Sequence, residues 1–308
     1  MNSPAIKTVD KTMRNWDSRS QGPRLGNLIF MKLIAAGGTA PAYVLLRVVA
    51  LWYALTDTQN GAWLTEYHRR IGVKTGFRSL YRHFLRFGES LIDGYAFLYC
   101  KKSPFGFSFV GEQHISGALD RGKGVLLLSA HVGNWEIAGN MLVDRKIVSR
   151  VNFIMLDKER EEMRDVFKAA IEKRRVTVIP VADNPLDMMV ATRNALKNNE
   201  IVCIDGDRVS GNEQFREMIF LGKKAKFPAG PFVFSAITGA PILAVFCVKD
   251  RPGHYLMKVF GSITVEKTSR AHRDTAIHTA MQEYINILES FVRQYPFAWF
   301  NIFEFWES

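Results

Sequence analysis

Gly124-Val125-Leu126-Leu127-Leu128-Ser129-Ala130-His131-Val132-Gly133-Asn134-Trp135-Glu136 decides how this chain is read. It opens as an unbroken apolar run, the mark of a strand buried on both faces. It then turns polar and glycine-containing, where such a strand emerges at the rim of a sheet. Apolar residues at 137, 138, 141 and 142 predict a helix running from Trp135 to Val143. His131 therefore falls at a strand-to-helix junction, with Glu136 in the first turns that follow.

A neutral imidazole there suits general-base chemistry near pH 7. A carboxylate on its other ring nitrogen fixes the tautomer and stabilises the imidazolium as it forms. Gly133 permits a turn tight enough for Glu136 to fold back toward His131. The same pattern also arises from a strand-end histidine and a glutamate favoured by the helix dipole.

The texture around this stretch sets the fold class. Apolar runs at 152–156, 176–181, 201–205, 241–248 and 255–265 alternate with helical periodicity at 158–173, 186–197, 228–238 and 271–293. Alternation of this kind predicts an α/β fold, a largely parallel central sheet flanked by helices. Phe107-Ser108-Phe109-Val110 alternates as a further strand, and residues 117–123 read as a short helix. Residues 60–100 read as helical, with Phe77, Leu80, Phe84, Phe87 and Leu91 on one face and Arg78, Arg82 and Arg86 nearly opposite. That arginine stripe is either a solvated face or a cationic surface for lipid head groups or an acidic carrier protein.

Ahead of this lies an apolar stretch, residues 27–55, broken by Lys32, Gly37-Gly38, Pro41 and Arg47. Its longest charge-free run, Leu33 to Leu46, falls short of the ~20 residues of a spanning helix. We expect two short helices hinged near Gly37-Gly38, forming an N-terminal apolar helical membrane-contacting segment, with Lys32 and Arg47 snorkelling. A buried helical hairpin is the plainer reading, and a single tilted span is also open. The division expected is 1–60 for the basic and apolar membrane-associating segment and 61–308 for the enzyme domain. No apolar core follows closely behind a short basic start, so a cleaved secretory signal is not expected.

Composition narrows the function classes. The formal net charge is +11, and residues 1–120 hold 15 Lys and Arg against 8 Asp and Glu. A basic surface pairs with nucleic acid, an anionic membrane or an acidic protein. Zinc spacing, RNA-binding strand motifs and interleaved aromatic platforms are lacking, so nucleic acid is not an expected partner. The three cysteines, Cys100, Cys203 and Cys247, have no metal-ligand spacing and read as buried thiols of a reducing compartment. Neither a metal nor another cofactor is expected.

His131-Val132-Gly133-Asn134-Trp135-Glu136, after an apolar strand and Ser129-Ala130, resembles the His-four-residues-acid motif of the lysophospholipid acyltransferase superfamily. The glutamate variant is similar to the branch with the lauroyl and myristoyl acyltransferases of lipid A biosynthesis. Asp205-Gly206-Asp207-Arg208, Phe220-Leu221-Gly222, Lys226-Phe227-Pro228-Ala229-Gly230 and Tyr295-Pro296-Phe297-Ala298-Trp299-Phe300 resemble the same branch in the same order. The resemblance implies an acyltransferase with His131 and Glu136 as its catalytic pair. It would use an acyl carrier protein or acyl-CoA donor and a lipid acceptor, lipid A-like or a related glycolipid or aminolipid. It also implies the cytoplasmic face of the cell inner membrane, against an anionic membrane surface.

Ligands of open α/β sheets bind beyond the C-terminal ends of strands. If the strands ending at Ser129 and Asp205 run parallel, their polar exits share a rim. Arg208 is then a candidate for the acceptor's anionic group or the oxyanion, with Asp207 orienting it. Asn134, Arg193 and Lys226 are further substrate-binding candidates. The Lys226 segment leads into a helix start that offers backbone N–H groups to a phosphate. The aromatics from Trp299 to Trp306 read as core, an acyl channel or an interfacial patch. The dyad equally permits a hydrolase that activates water, and the apolar N-terminus permits a non-catalytic lipid-binding protein. There is no Gly-x-Ser-x-Gly elbow, so a covalent acyl-enzyme is not expected.

Overall fold

The computed structural model of the chain describes residues 24–99, 103–134, 137–138, 150–156, 176–181, 185–209, 213–266, 269 and 272–306. Four helices lead: α1 (Arg24–Gly37), α2 (Thr39–Thr56), α3 (Thr58–Arg70) and α4 (Phe77–Tyr99). The body then runs β1 (Gly106–Val110), α5 (Gln113–Leu119), β2 (Val125–Ser129), β3 (Val151–Leu156), β4 (Val176–Val181), α6 (Pro185–Lys197) and β5 (Ile201–Asp205). It continues with β6 (Phe215–Phe220), β7 (Lys223–Pro228), α7 (Gly230–Thr238), β8 (Ile242–Arg251), β9 (His254–Ile263) and α8 (Arg273–Gln294).

Seven strands form one sheet in the order β1-β9-β8-β2-β5-β3-β4. Its neighbours are parallel except β8 and β9, which join as an antiparallel hairpin. The fold is thus α/β with a mostly parallel sheet between helices, as the alternating pattern predicts. The helical stretch expected at 158–173 and most of that at 135–143 lie outside the described residues.

Strand β2 sits at the middle of the sheet, and Val125, Leu126, Leu127 and Leu128 are all buried. Burying each such side chain contributes about 1.5–3 kcal/mol, which is why this run is continuous rather than alternating. Leu126 and Leu128 face one core layer with Phe232, Tyr284 and Leu288; Val125 and Leu127 face the other with Ile115, Phe97 and Tyr255.

Helices α1 and α2 meet at Gly38, whose φ of 70° lies in the left-handed region that glycine adopts without strain. This is the expected hinge. Ala42, Leu46 and Ala50 of α2 pack inward, whereas Val44, Val48, Trp52 and Leu55 are each more than half exposed. Helix α2 is long and apolar enough to cross a membrane by length and composition.

A buried polar cluster fastens α2 and α4 to the sheet. The Asp93 carboxylate accepts from Tyr43, from the Tyr255 hydroxyl at 2.5 Å and from Lys249 Nζ at 2.9 Å. Burial pushes the Asp93 carboxyl up, and Lys249 and the two tyrosines pull against it. Removing one partner of such a cluster strands the others without water, so it fixes where the helices dock.

The aromatic face expected on α4 is only partly inward. Phe84 is buried and Leu80 and Phe87 are partly buried, but Phe77 and Leu91 remain exposed. The inward positions include His83 and Asp93, polar residues that a count of apolar spacing overlooks. His83 Nε2 donates to the Trp299 carbonyl at 2.8 Å, which leaves Nδ1 to accept from His68 Nε2 at 3.0 Å.

Burial, with His68 beside it, pushes the His83 pKa down to about 3 against the pull of the Trp299 carbonyl; burial likewise takes His68 down to about 4. Both rings thus stay neutral in the folded protein while the unfolded chain takes up protons below about pH 6.5. Their contribution is complete above that pH and is lost as pH falls toward 4. Each ring should cost about 1.4 kcal/mol per pH unit in that window. Unfolding free energies measured from pH 7 to 4.5 check this, and His83→Gln should flatten the slope.

Candidate active site

Strands β2 and β5 are parallel neighbours in which Ser129 pairs with Asp205. Their exits therefore share one rim, as required for the two polar clusters to meet. Gly206 N and the Tyr284 hydroxyl both donate to the Ser129 carbonyl, at 2.8 and 2.6 Å, and hold the two strand ends together.

Just beyond, the chain turns at Gly133, with φ 67°. A Cβ there would lie 2.0 Å from the Cys247 carbonyl oxygen of β8. Gly133→Ala combines that overlap with a left-handed backbone, and we expect a loss of about 3 kcal/mol or more. Chemical denaturation of the purified variant measures it.

At the rim, His131 Nδ1 donates to Asp207 Oδ1 at 2.8 Å, and the His131 backbone N–H donates to Asp207 Oδ2 at 3.0 Å. Two further donors reach Oδ2: Trp299 Nε1 and Asn301 Nδ2, each at 2.9 Å. Asp207 is fully buried, which alone would raise its pKa. His131, Arg208 and the hydrogen bonds outweigh that cost and hold the carboxyl below its usual value. A carboxylate so held is a fixed anchor for the ring.

With Nδ1 donating to Asp207, the proton of a neutral imidazole sits there and Nε2 is the ring nitrogen that carries the lone pair. The side chain is 23% exposed at the rim. Asp205 Oδ2 lies 3.7 Å from Nε2. Burial pushes the Asp205 carboxyl up to about 6, with the neighbouring Asp207 charge adding to the rise and His131 and Arg208 opposing it.

The segment 297–301 straps across this pair. Phe300 N donates to the His131 carbonyl at 2.7 Å, and Gly133 N donates to the Ala298 carbonyl at 2.7 Å. Arg208 secures the strap through Asn301 Oδ1 at 2.5 Å and the Phe300 carbonyl at 2.8 Å, with Phe303 under its guanidinium. Trp299 packs among Tyr67, Phe220 and Phe305. The tail aromatics nearest the site thus serve as core that aims an indole N–H at a carboxylate.

The candidates named from sequence fall into two groups. His131, Asp207 and Arg208 come together, but in different pairings than expected. Asp207 orients His131 as well as lying near Arg208, and Arg208 is engaged by the protein's own strap. Glu136 lies outside the described residues.

The other three are held elsewhere. Asn134 is buried; its Nδ2 donates to the Ser90 carbonyl at 2.9 Å and its Oδ1 accepts from Ile137 N at 3.2 Å. Arg193 is exposed in the second half of α6, the half that leads into the start of β5 and so away from the Asp205 rim. Lys226 is on β7, its ammonium 5.0 Å from the Phe215 ring centre. A Cβ built on Gly230, at the start of α7, would lie 3.5 Å from Glu213 Oε1, so a carboxylate stands beside this helix start.

Trp299, Asn301 and Asp205 were not assigned these positions from sequence. The backbone N–H groups of residues 131 to 134 are all engaged, by Asp207, Ala130, Ala298 and Cys247 in turn. Among the described residues, no group of three or more His, Cys, Asp or Glu is arranged to hold a metal.

A histidine held by a buried carboxylate at the C-terminal rim of a mostly parallel sheet is an arrangement that α/β proteins can use to activate a nucleophile. The family model for bacterial lipid A biosynthesis acyltransferases matches residues 73–308, and the chain belongs to that family. Among curated proteins, it is similar to a phosphatidylinositol mannoside acyltransferase of Mycobacterium tuberculosis, 28% identical over 140 residues, covering 44% of this chain and 42% of that one. The protein of the same name from Mycolicibacterium smegmatis is 26% identical over 137 residues, covering 44% and 43%. The alignments thus span less than half of these relatives.

Proposed function

We propose that the protein transfers a fatty acyl chain from an acyl thioester to a hydroxyl of a lipid acceptor. The observation that carries this is His131, its Nδ1 held by a buried Asp207 and its side chain partly exposed at the rim. The acceptor hydroxyl donates to Nε2. As its oxygen forms a bond to the thioester carbonyl carbon, the proton passes to His131. The imidazolium is stabilised by Asp207, and its charge lies beside the developing oxyanion. Collapse breaks the C–S bond, and the proton leaves with the thiolate sulfur, which restores the neutral ring. Glu136, in the family motif, is a second carboxylate for this pair, and Glu136→Gln tests its share separately.

An acyl carrier protein is the donor we favour, given the excess of positive charge in residues 1–120; coenzyme A carries the same thioester chemistry. The acceptor is lipid A-like or a related glycolipid or aminolipid, by family membership and by the names of the relatives. The exposed apolar stripe of α2 suits a membrane, and the cytoplasmic face of the inner membrane is where thioester donors are found. Water in place of the acceptor would give thioester hydrolysis from the same site.

Mass spectrometry of membrane lipids from cells with and without the gene tests the proposal. A lipid that lacks one acyl chain in the deletion, restored by the wild-type gene and not by His131→Ala, supports it. Unchanged lipids, with thioester hydrolysis as the sole activity of the purified protein, favour the hydrolase.

A further inference from the structure

Ser108, His254 and Asp250 form a hydrogen-bonded chain across the outer three strands of the sheet, and the transfer chemistry above uses none of them. They lie on β1, at the start of β9 and near the end of β8. Parallel register sets Gly106 opposite His254, and the two-residue pleat returns Ser108 to the same face. His254 Nδ1 is 2.6 Å from Asp250 Oδ1, and its Nε2 is 3.1 Å from Ser108 Oγ. With the ring proton on Nδ1 donated to the carboxylate, Nε2 accepts from the serine hydroxyl.

The local backbone makes room for this chain. A Cβ on Gly106 would lie 3.2 Å from His254 Cδ2, so the ring lies close over the glycine on its way to Ser108. Gly253, with φ 68°, turns the hairpin that brings β9 back beside β8. The His254 side chain is 11% exposed and that of Asp250 23%, whereas Ser108 is exposed. The ring and its carboxylate are shielded, and the hydroxyl they serve is open. The second Asp250 oxygen faces Arg251 Nη1 at 3.6 Å.

Holding β1 in place does not call for such a set, because all five β1 residues already pair with β9. A serine hydroxyl alone is a weak nucleophile. A base within hydrogen-bond reach, itself oriented by a third group, is what activates one. Ser108 is on a regular strand rather than a Gly-x-Ser-x-Gly elbow, so a motif search passes over it. The atoms that an activated serine attacks are carbonyl carbons bearing a good leaving group, as in activated esters and thioesters.

We propose that Ser108, His254 and Asp250 are a second reactive site, in which Ser108 takes the acyl group of an activated ester or thioester onto its own oxygen. Ser108 Oγ bonds to the carbonyl carbon while its proton passes to His254 Nε2. Collapse breaks the bond to the leaving oxygen or sulfur, which departs with that proton. His254 then takes a proton from water as the water oxygen bonds to the same carbon. The bond to Oγ breaks, the proton returns to Ser108, and a carboxylic acid leaves. Asp250 orients the ring throughout. The site shares no residue with that of His131, and its chemistry stands whether or not His131 transfers acyl chains.

The experiment treats the full chain with a biotinylated alkyl fluorophosphonate, which phosphonylates activated serines and releases fluoride, and maps the label by peptide mass spectrometry. Wild type and His131→Ala should both carry the label on Ser108, and Ser108→Ala should lose it. The labelling rate should fall about 100-fold or more in His254→Gln and about 10-fold or more in Asp250→Asn. Asp250→Asn keeps the shape of the array and carries the test if circular dichroism shows His254→Gln unfolded. With 4-nitrophenyl butyrate as acyl probe, a butyryl ester should appear on Ser108 with the same dependence on His254 and Asp250. A merely structural hydrogen bond would move denaturation midpoints and leave Ser108 as unreactive as any surface serine. No label on Ser108 in the folded wild type, or labelling at the wild-type rate in the folded His254 or Asp250 variant, overturns the proposal. Acyl transfer by Ser108→Ala should match wild type, so failure at either site is read apart from the other.

Discussion

Replacing His131 with alanine should lower acyl transfer about 10²–10⁴-fold, the span that a positioned general base contributes. The loss should fall on kcat, because the base acts when the acceptor oxygen attacks and not when the donor binds. Stability should change little by comparison. The ring is partly exposed, and Asp207 keeps its backbone, Trp299 and Asn301 donors without it. The measurement is steady-state kinetics beside a denaturation curve for the same preparation. Transfer at the wild-type rate by a well-folded variant ends the mechanism.

Asp207 should give a different signature. Asp207→Asn puts an amide where one carboxylate oxygen accepts three hydrogen bonds and the other accepts one. The amide nitrogen must then face N–H donors, and the ring loses the anion that fixes its tautomer. We expect kcat to fall by about 10²–10⁴-fold. Asp207→Ala should also destabilise, since each buried donor left unpaired costs about 1–3 kcal/mol. His131→Ala thus separates activity from stability, whereas Asp207→Ala couples them. Denaturation midpoints beside kcat for both variants check the contrast; an Asp207→Ala protein as stable as wild type would show that the Trp299 and Asn301 bonds do not hold the strap.

The fold was legible where one interaction dominates. A strand buried on both faces has to be apolar throughout, so 125–128, 201–204 and 242–248 announce themselves and the α/β class follows. The rim position of His131 follows too, because parallel neighbours bring like ends together. The hairpin of β6 and β7 was not legible. Its two-residue turn, Leu221-Gly222, has φ of 52° and 81°, the geometry usually signalled by Asn-Gly. Leucine stands there because the side chain is buried in the core and the backbone N–H donates to Glu289 at 2.9 Å. Packing overrides turn chemistry, and the lysines of β7 consequently read as a loop.

The pairing within the site is the other case. Asp207 lies 76 positions from His131, and Asn301 lies 94 from Asp207. Both bonds depend on sheet register and on the path of the strap, to which local periodicity is blind. The sequence did offer Asp205 and Asp207 as a pair, but only the strand end decides which of two acids two apart points at Nδ1 and which at Nε2.

The strap has a bearing on how the protein is made. On the ribosome, residue 131 leaves the exit tunnel long before residue 301. During that interval the Asp207 carboxylate has no indole or amide to hold it still beside the imidazole. A chain paused or broken off ahead of 299 would lack the two side-chain donors of the strap that hold Asp207 in place.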